Sequence, residues 1–211
     1  MIWSFLNKVY YPCLESNIFS TDDILYHFDE WIDSKINVLY ITGLSGSGKT
    51  TLAKQICEQC GSNYFELDRI EHYKDYLYKD TNRIDELLLK KYFELNHESR
   101  DVNLMDDKEY GKFFMDAYLY LYDYTTRHKN ARFVFEGIQI AGRLYDRPEL
   151  FESAIIIKGT SIDESIQRRK NRDGKMLLNG IERTDAFMYD WYINAYKWVL
   201  QLKNEIDKRR K

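Results

Sequence analysis

The sequence has few of the residues that break or staple a chain. Two prolines in 211 residues leave few forced helix ends, because each proline removes a backbone donor and clashes with the preceding turn. Long helices are expected. Three cysteines, Cys13, Cys57 and Cys60, are too few for a disulfide framework. Cys57 and Cys60 form a C-x-x-C pair, but no second pair or histidine cluster completes a zinc site, so packing on one helix face is expected. No apolar run approaches the ~18 residues of a membrane span, and no signal-peptide pattern opens the chain; a cytoplasmic protein without membrane contact is the expectation. Neither sign of charge dominates. The 31 Lys and Arg against 34 Asp and Glu give a formal charge of −3, which provides no global pull toward nucleic acid or an anionic surface.

What the chain has in quantity is tyrosine, 18 residues of it, a side chain that packs with its ring and keeps a polar tip. The length and the 44% apolar fraction suit one soluble α/β domain with a full core. Residues 1–19 are aromatic and irregular. Ser20 or Thr21 offers a cap to a helix in which Ile24, Phe28, Trp31 and Ile32 share a face. Val38–Thr42, Tyr64–Leu67, Arg132–Phe135 and Ala154–Lys158 read as strands, and no fifth strand is evident. Helices are expected at Arg83–Leu95, Lys108–Arg127, Ser161–Lys170 and Asp185–Lys208, with a loop at Asn171–Thr184 carrying Asp173-Gly174 and Asn179-Gly180. Strands alternating with helices imply right-handed crossovers and a mostly parallel sheet of four to five strands in a three-layer α/β fold.

The strongest signal is Gly43-Leu44-Ser45-Gly46-Ser47-Gly48-Lys49-Thr50, a complete G-x-x-x-x-G-K-[ST] motif between a strand and a helix. Glycines let the backbone curl so that successive N–H groups point at a phosphate, and the helix that follows adds its positive end. Gly43, Ser45, Gly46, Ser47 and Gly48 are the expected cradle. Lys49 brings a charge to the β- and γ-phosphates, Thr50 offers a hydroxyl to magnesium, and Thr51 reaches the α-phosphate. The ligand is a purine nucleoside triphosphate, ATP or GTP, with Mg²⁺.

Ligands of open α/β sheets sit beyond the carboxyl ends of the strands. Asp68 and Glu136 close the second and third strands there. Asp68 is read as the base that accepts an acceptor's proton, or as a metal ligand that holds the hydroxyl in line; Glu66, deeper on the same strand, is its reserve. Glu136 is read as a metal or acceptor ligand, with Gly137 and Gln139 beside it. Arg168 and Arg172, four apart on a helix, and Arg169 next to them suit phosphate oxygens in a closing lid, with Asp173 as an orienting partner. Tyr73, Tyr76 and Tyr78 read chiefly as a packing face, and Arg127, His128, Arg143 and Arg147 chiefly as surface. The basic tail Lys208–Lys211 reads as a helix end.

Together, GLSGSGKTT, FVFEGI and RRKNRD make the chain resemble P-loop kinases of small metabolites, in particular uridine kinase and pantothenate kinase, over roughly residues 36–70 and 131–175. The resemblance implies a P-loop NTPase sandwich in one domain over residues 1–211, a helical substrate-side insert at 70–129 and a lid at 168–184. It implies transfer of the γ-phosphoryl group to a small hydroxylated acceptor, a nucleoside, a nucleotide or a similar metabolite. Lys49 and Thr50 would serve phosphate and metal, Asp68 the acceptor, Glu136 metal or acceptor, and Arg168, Arg169 and Arg172 the lid. A polynucleotide, modified-base or sugar-nucleotide (toxin-type) kinase is the alternative, and a P-loop ATPase switch without acceptor the third reading.

Overall fold

A computed structural model of the chain describes residue 14 and residues 18–96, 98–174, 177–178 and 181–210. Five strands form one sheet. They are β1 (Ile24–Tyr26), β2 (Val38–Thr42), β3 (Asn63–Glu66), β4 (Phe133–Glu136) and β5 (Ala154–Ile157), in the spatial order β1-β5-β2-β4-β3. β2 lies parallel to both β4 and β5, β3 lies parallel to β4, and β1 runs antiparallel along β5. The helices are α1 (Phe28–Ile32), α2 (Lys49–Cys60), α3 (Asp68–Glu71), α4 (Ile84–Leu95), α5 (Asp107–Arg127), α6 (Gln139–Arg143), α7 (Pro148–Phe151), α8 (Ile162–Asp173) and α9 (Asp185–Arg209). A short hairpin of β6 (Leu177–Leu178) and β7 (Ile181–Glu182) lies between α8 and α9.

The central strands are apolar throughout because both faces of the sheet are covered. Alternation along β2 sends Leu39 and Ile41 to one face, where they meet Trp31, Leu52 and Ile56 of α1 and α2. Val38 and Tyr40 point to the other, against Phe114 and Tyr118 of α5 and Leu202 of α9. The same alternation along β4 places Glu136 on the side of Val134, the face that α2 covers. Most of the tyrosine is spent in the larger core. Tyr40 and Tyr118 are fully buried and share a hydrogen bond of 2.7 Å between their hydroxyls.

Four sequence expectations need correction. Residues 24–26 do not begin a helix; they form the missing fifth strand, and the helix is confined to Phe28–Ile32. Pairing with Ile155–Ile157 covers an edge that would otherwise expose a row of backbone groups. Asp23, rather than Ser20 or Thr21, organises the turn before it, accepting from the Ser20 amide and hydroxyl and from Lys158. Asp68 does not close the second strand, which ends at Glu66, but opens α3. The expected loop at Asn171–Thr184 begins later, since α8 runs on to Asp173, and it contains the β6–β7 hairpin. Cys13, Asn179, Gly180, Lys211 and the Asp173 side chain lie outside the described residues. The expected boundaries of α4, α5 and α9 hold to within a residue or two. The end of α9 is docked: the Arg209 guanidinium lies over the Phe151 ring at 4.0 Å, and Arg210 donates to the Leu25 carbonyl.

Candidate phosphate and acceptor site

Residues 43–50 leave the carboxyl end of β2 and turn directly into α2. Gly46 and Gly48 have φ of 87° and 89°, a region that disfavours any residue with a Cβ. A Cβ on Gly46 would stand 2.6 Å from the Ser165 carbonyl oxygen, whereas at Gly48 it would meet nothing within 4 Å. The loop is thus wedged against α8 on one side and open on the other. Leu44 anchors it in the core, and its carbonyl accepts from the Ser47 amide at 3.0 Å. The buried Ser47 hydroxyl has no hydrogen-bond partner among the described residues, a polar group left over inside the cradle.

Other elements hold the loop in place. Tyr192 of α9 donates its hydroxyl to the Ser45 carbonyl at 3.0 Å. From α8, Arg169 donates to the Ser45 hydroxyl at 3.1 Å and Arg168 to the Ser47 carbonyl at 3.3 Å; Arg168 also pairs with Glu164 on its own helix. Both arginines therefore stand at the loop on a formed helix. Arg172 is exposed, one turn further along α8. Thr51 is exposed in the first turn of α2.

Glu136 ends β4, directly beside Ile41 of β2, and is 2% exposed. One carboxylate oxygen lies 3.6 Å from the Lys49 ammonium. The other accepts from the Thr50 hydroxyl at 3.1 Å and the Tyr64 hydroxyl at 2.9 Å. Burial pushes the Glu136 carboxyl above its usual range, opposed by Lys49 and reinforced by the charge of Asp68. Tyr64 is pushed far up, by burial and then by Glu136 and Glu66, so its phenol stays protonated and donates. A carboxylate and a hydroxyl meeting beside a lysine are hard oxygen donors of the kind magnesium takes through one or two protein groups. These residues fit that ion.

Away from the loop, Asp68 and Glu71 begin and end α3. Three residues apart, they share a face of the turn. Gln139, at the start of α6, points its amide nitrogen at both, 2.7 Å from Asp68 Oδ1 and 3.1 Å from Glu71 Oε1. Two carboxylates on one side of the amide call for the nitrogen there. Close approach at Gly137 makes this fit, since a Cβ there would collide with the Gln139 oxygen at 2.4 Å and crowd Leu67 at 3.1 Å. Tyr110 of α5 donates to Glu71, and its phenol is held well above its usual range by burial and that carboxylate. The Arg143 guanidinium lies over the Tyr110 ring at 4.4 Å and pairs with Asp107 at 3.0 Å. A cavity of about 590 Å³ joins the two sides, running from Ser45, Lys49 and Arg169 to Asp68, Glu71, Gln139, Tyr110, Arg143 and Trp191.

The structure thus brings Lys49, Thr50, Glu136, Asp68, Gln139, Arg168 and Arg169 to one region. Glu66 does not line that cavity and is held by Arg83 at 3.0 Å and Arg69 at 3.3 Å. Tyr73 and Tyr76 are core, and Tyr78 is exposed. Arg127 pairs with Asp123 and Arg147 with Glu149, and the His128 ring stacks on Tyr124. Sequence reasoning missed Glu71, Tyr110, Tyr64 and Trp191 and undervalued Arg143. Only Glu71 carried a usable signal, its spacing of three from Asp68 on a predicted helix.

The family model of the ATPases associated with various cellular activities (AAA) matches residues 39–107. That segment includes the phosphate loop and Asp68 but stops before Glu136, Gln139 and the α8 arginines. No curated protein matches the chain. Among the described residues no helix is long and apolar enough to cross a membrane. The sheet, the loop and this match are those of a P-loop NTPase.

Proposed function

We propose that this P-loop NTPase is a kinase that moves the γ-phosphoryl group of ATP or GTP to a hydroxyl of a small molecule. The observation that carries the reading is the cavity itself. It begins at the lysine of the phosphate loop and ends at a pair of carboxylates fixed by one amide. A hydrolase that only needs water does not require a chamber that runs on from the phosphate loop to a fixed pair of carboxylates. A kinase does, because the acceptor must be positioned in line and screened from solvent.

In this reading residues 43–48 and the amino end of α2 bind the phosphates through backbone N–H groups, and Lys49, Arg168 and Arg169 offset their charge. Thr50 and Glu136 would hold magnesium, which supplies positive charge to the phosphate oxygens. Tyr64 keeps the Glu136 carboxylate oriented. Asp68 accepts the hydroxyl proton as the acceptor oxygen bonds to phosphorus and the bond to the β-phosphate oxygen breaks, leaving the nucleoside diphosphate. Charge neutralisation and alignment are the main demands of this chemistry, so an ordinary carboxylate suffices as base. The rim of α8 and the hairpin after it serve as the lid, and the α3–α5 segment as the substrate-side insert of a single domain.

The AAA match favours a second reading, hydrolysis coupled to movement without an organic acceptor. The two are separated by incubating the protein with γ-labelled ATP, Mg²⁺ and a panel of hydroxylated compounds. The kinase reading predicts label on an organic product, lost in Asp68→Asn. Label appearing only as inorganic phosphate, whatever acceptor is present, would favour the switch.

A further inference from the structure

We propose that Asp68 and Glu71 work as a two-carboxylate clamp that selects an uncharged vicinal diol as the acceptor. The inference deepens the kinase reading and rests on it. Both side chains line the chamber. One oxygen of each is taken by the same Gln139 nitrogen, and Glu71 Oε1 also accepts from Tyr110. Among the described residues, no donor reaches the remaining oxygens, Asp68 Oδ2 and Glu71 Oε2, and no cation lies within ion-pair distance of either carboxylate. The amide that fixes them is 7% exposed, and its own oxygen has no partner.

Two carboxyl groups held side by side and facing a cavity are under-supplied with hydrogen-bond donors. A ligand that offers two adjacent O–H groups fills that need, one to each acid. Asp68, the base of the kinase reading at the start of α3, takes the reacting hydroxyl, and Glu71 takes its neighbour. A phosphate or carboxylate beside the reacting hydroxyl would face both charges without relief. Of the basic side chains that line the chamber, Lys49 and Arg169 stand at the phosphate loop, Arg143 pairs with Asp107 and His72 with Asp75. Trp191 adds an aromatic wall for the carbon skeleton.

The test compares matched acceptors in the γ-labelled ATP assay. The probes are ribose, a ribonucleoside with its 2′- and 3′-deoxy forms, and 1,2-propanediol with 1-propanol. Ribose 5-phosphate serves as the anionic counterpart. Wild-type protein should prefer a diol over its deoxy partner by about tenfold or more in kcat/KM, as expected for a site built to bond a hydroxyl. In Glu71→Gln that ratio should collapse toward one, and melting curves report whether the variant is folded. If Glu71→Gln does not fold, Glu71→Asp, which keeps the charge and shortens the reach, should lower the same ratio. A preference for a lone hydroxyl or for the phosphorylated probe, or an unchanged ratio in the folded variant, overturns the clamp and leaves the kinase standing. Label that reaches no organic probe at all overturns both.

Discussion

Asp68, Lys49 and Gly46 carry the residue-scale consequences. Lys49 and Asp68 line one cavity, and in the kinase reading they serve phosphate charge and acceptor alignment. Substituting Lys49→Ala or Asp68→Asn should reduce transfer by about 10²–10³-fold, a range in which charge-stabilising groups and general bases act, with the circular-dichroism melt nearly unmoved for Asp68→Asn. Turnover near that of the wild type in Asp68→Asn would remove this residue from the chemistry. Gly46 has a structural duty. With φ at 87° and a would-be Cβ 2.6 Å from the Ser165 carbonyl, Gly46→Ala should cost about 2 kcal/mol or more in denaturant unfolding, and it should weaken nucleotide binding because the loop must leave α8. The phosphate-loop residues were legible in the sequence because their chemistry is local: a backbone cradle is written in consecutive glycines. Glu136 was legible because a strand's last residue faces the ligand edge. Tyr64 and Tyr110 were not, because a hydroxyl that reaches a carboxylate 72 or 39 residues away leaves no local pattern.

At the scale of elements, α3 and α4 are tied to β3 by buried charge rather than by apolar contact alone. Asp85 is fully buried and accepts from the Glu66 amide at 3.0 Å and from Arg83 at 2.7 Å, while Arg83 also reaches Glu66 at 3.0 Å. These carboxylates push the Arg83 guanidinium upward, past the opposing cost of burial. Removing one partner of such a set leaves a buried charge uncompensated, so Arg83→Met should destabilise the protein by about 2–3 kcal/mol. It should also disturb the acceptor side more than the phosphate side, because α3 carries Asp68 and Glu71. A raised KM for the acceptor with an unchanged Kd for nucleotide is the expected kinetic signature. The misread of residues 24–26 belongs to this scale. Ile24, Leu25 and Tyr26 satisfy a helical face and a strand equally well over three residues, and the open edge of β5 decides between them. The helices α4, α5 and α9 were legible because their repeating apolar faces run for 12, 21 and 25 residues, and α5 also carries the capping box of Asp106 and Glu109.

For the whole molecule, the sheet order places the phosphate strand β2 between β4, which brings Glu136, and β5, which leads to the α8 arginines. The last helix crosses the other face and reaches the loop through Tyr192. Phosphate binding should therefore stabilise the entire fold and not one lobe. At 100 times its Kd, Mg–ATP should contribute about 2.7 kcal/mol, a rise in Tm of roughly 5–10 °C for a chain of this size. The shift should be lost in Lys49→Ala. An unshifted Tm at saturating Mg–ATP would show that the cradle does not close on this ligand. Fold class was legible at this scale from the alternation of strands and helices, but the cavity was not, since its walls come from α3, α5, α6 and α9, brought together only by the packing.

The most direct measurement is a structure of the protein with a non-hydrolysable ATP analogue and Mg²⁺. The account predicts the β- and γ-phosphates within residues 43–50 and against Lys49, with the γ-phosphate facing the chamber that ends at Asp68 and Glu71. A phosphate tail lying elsewhere, or a γ-phosphate turned away from that chamber, would contradict it.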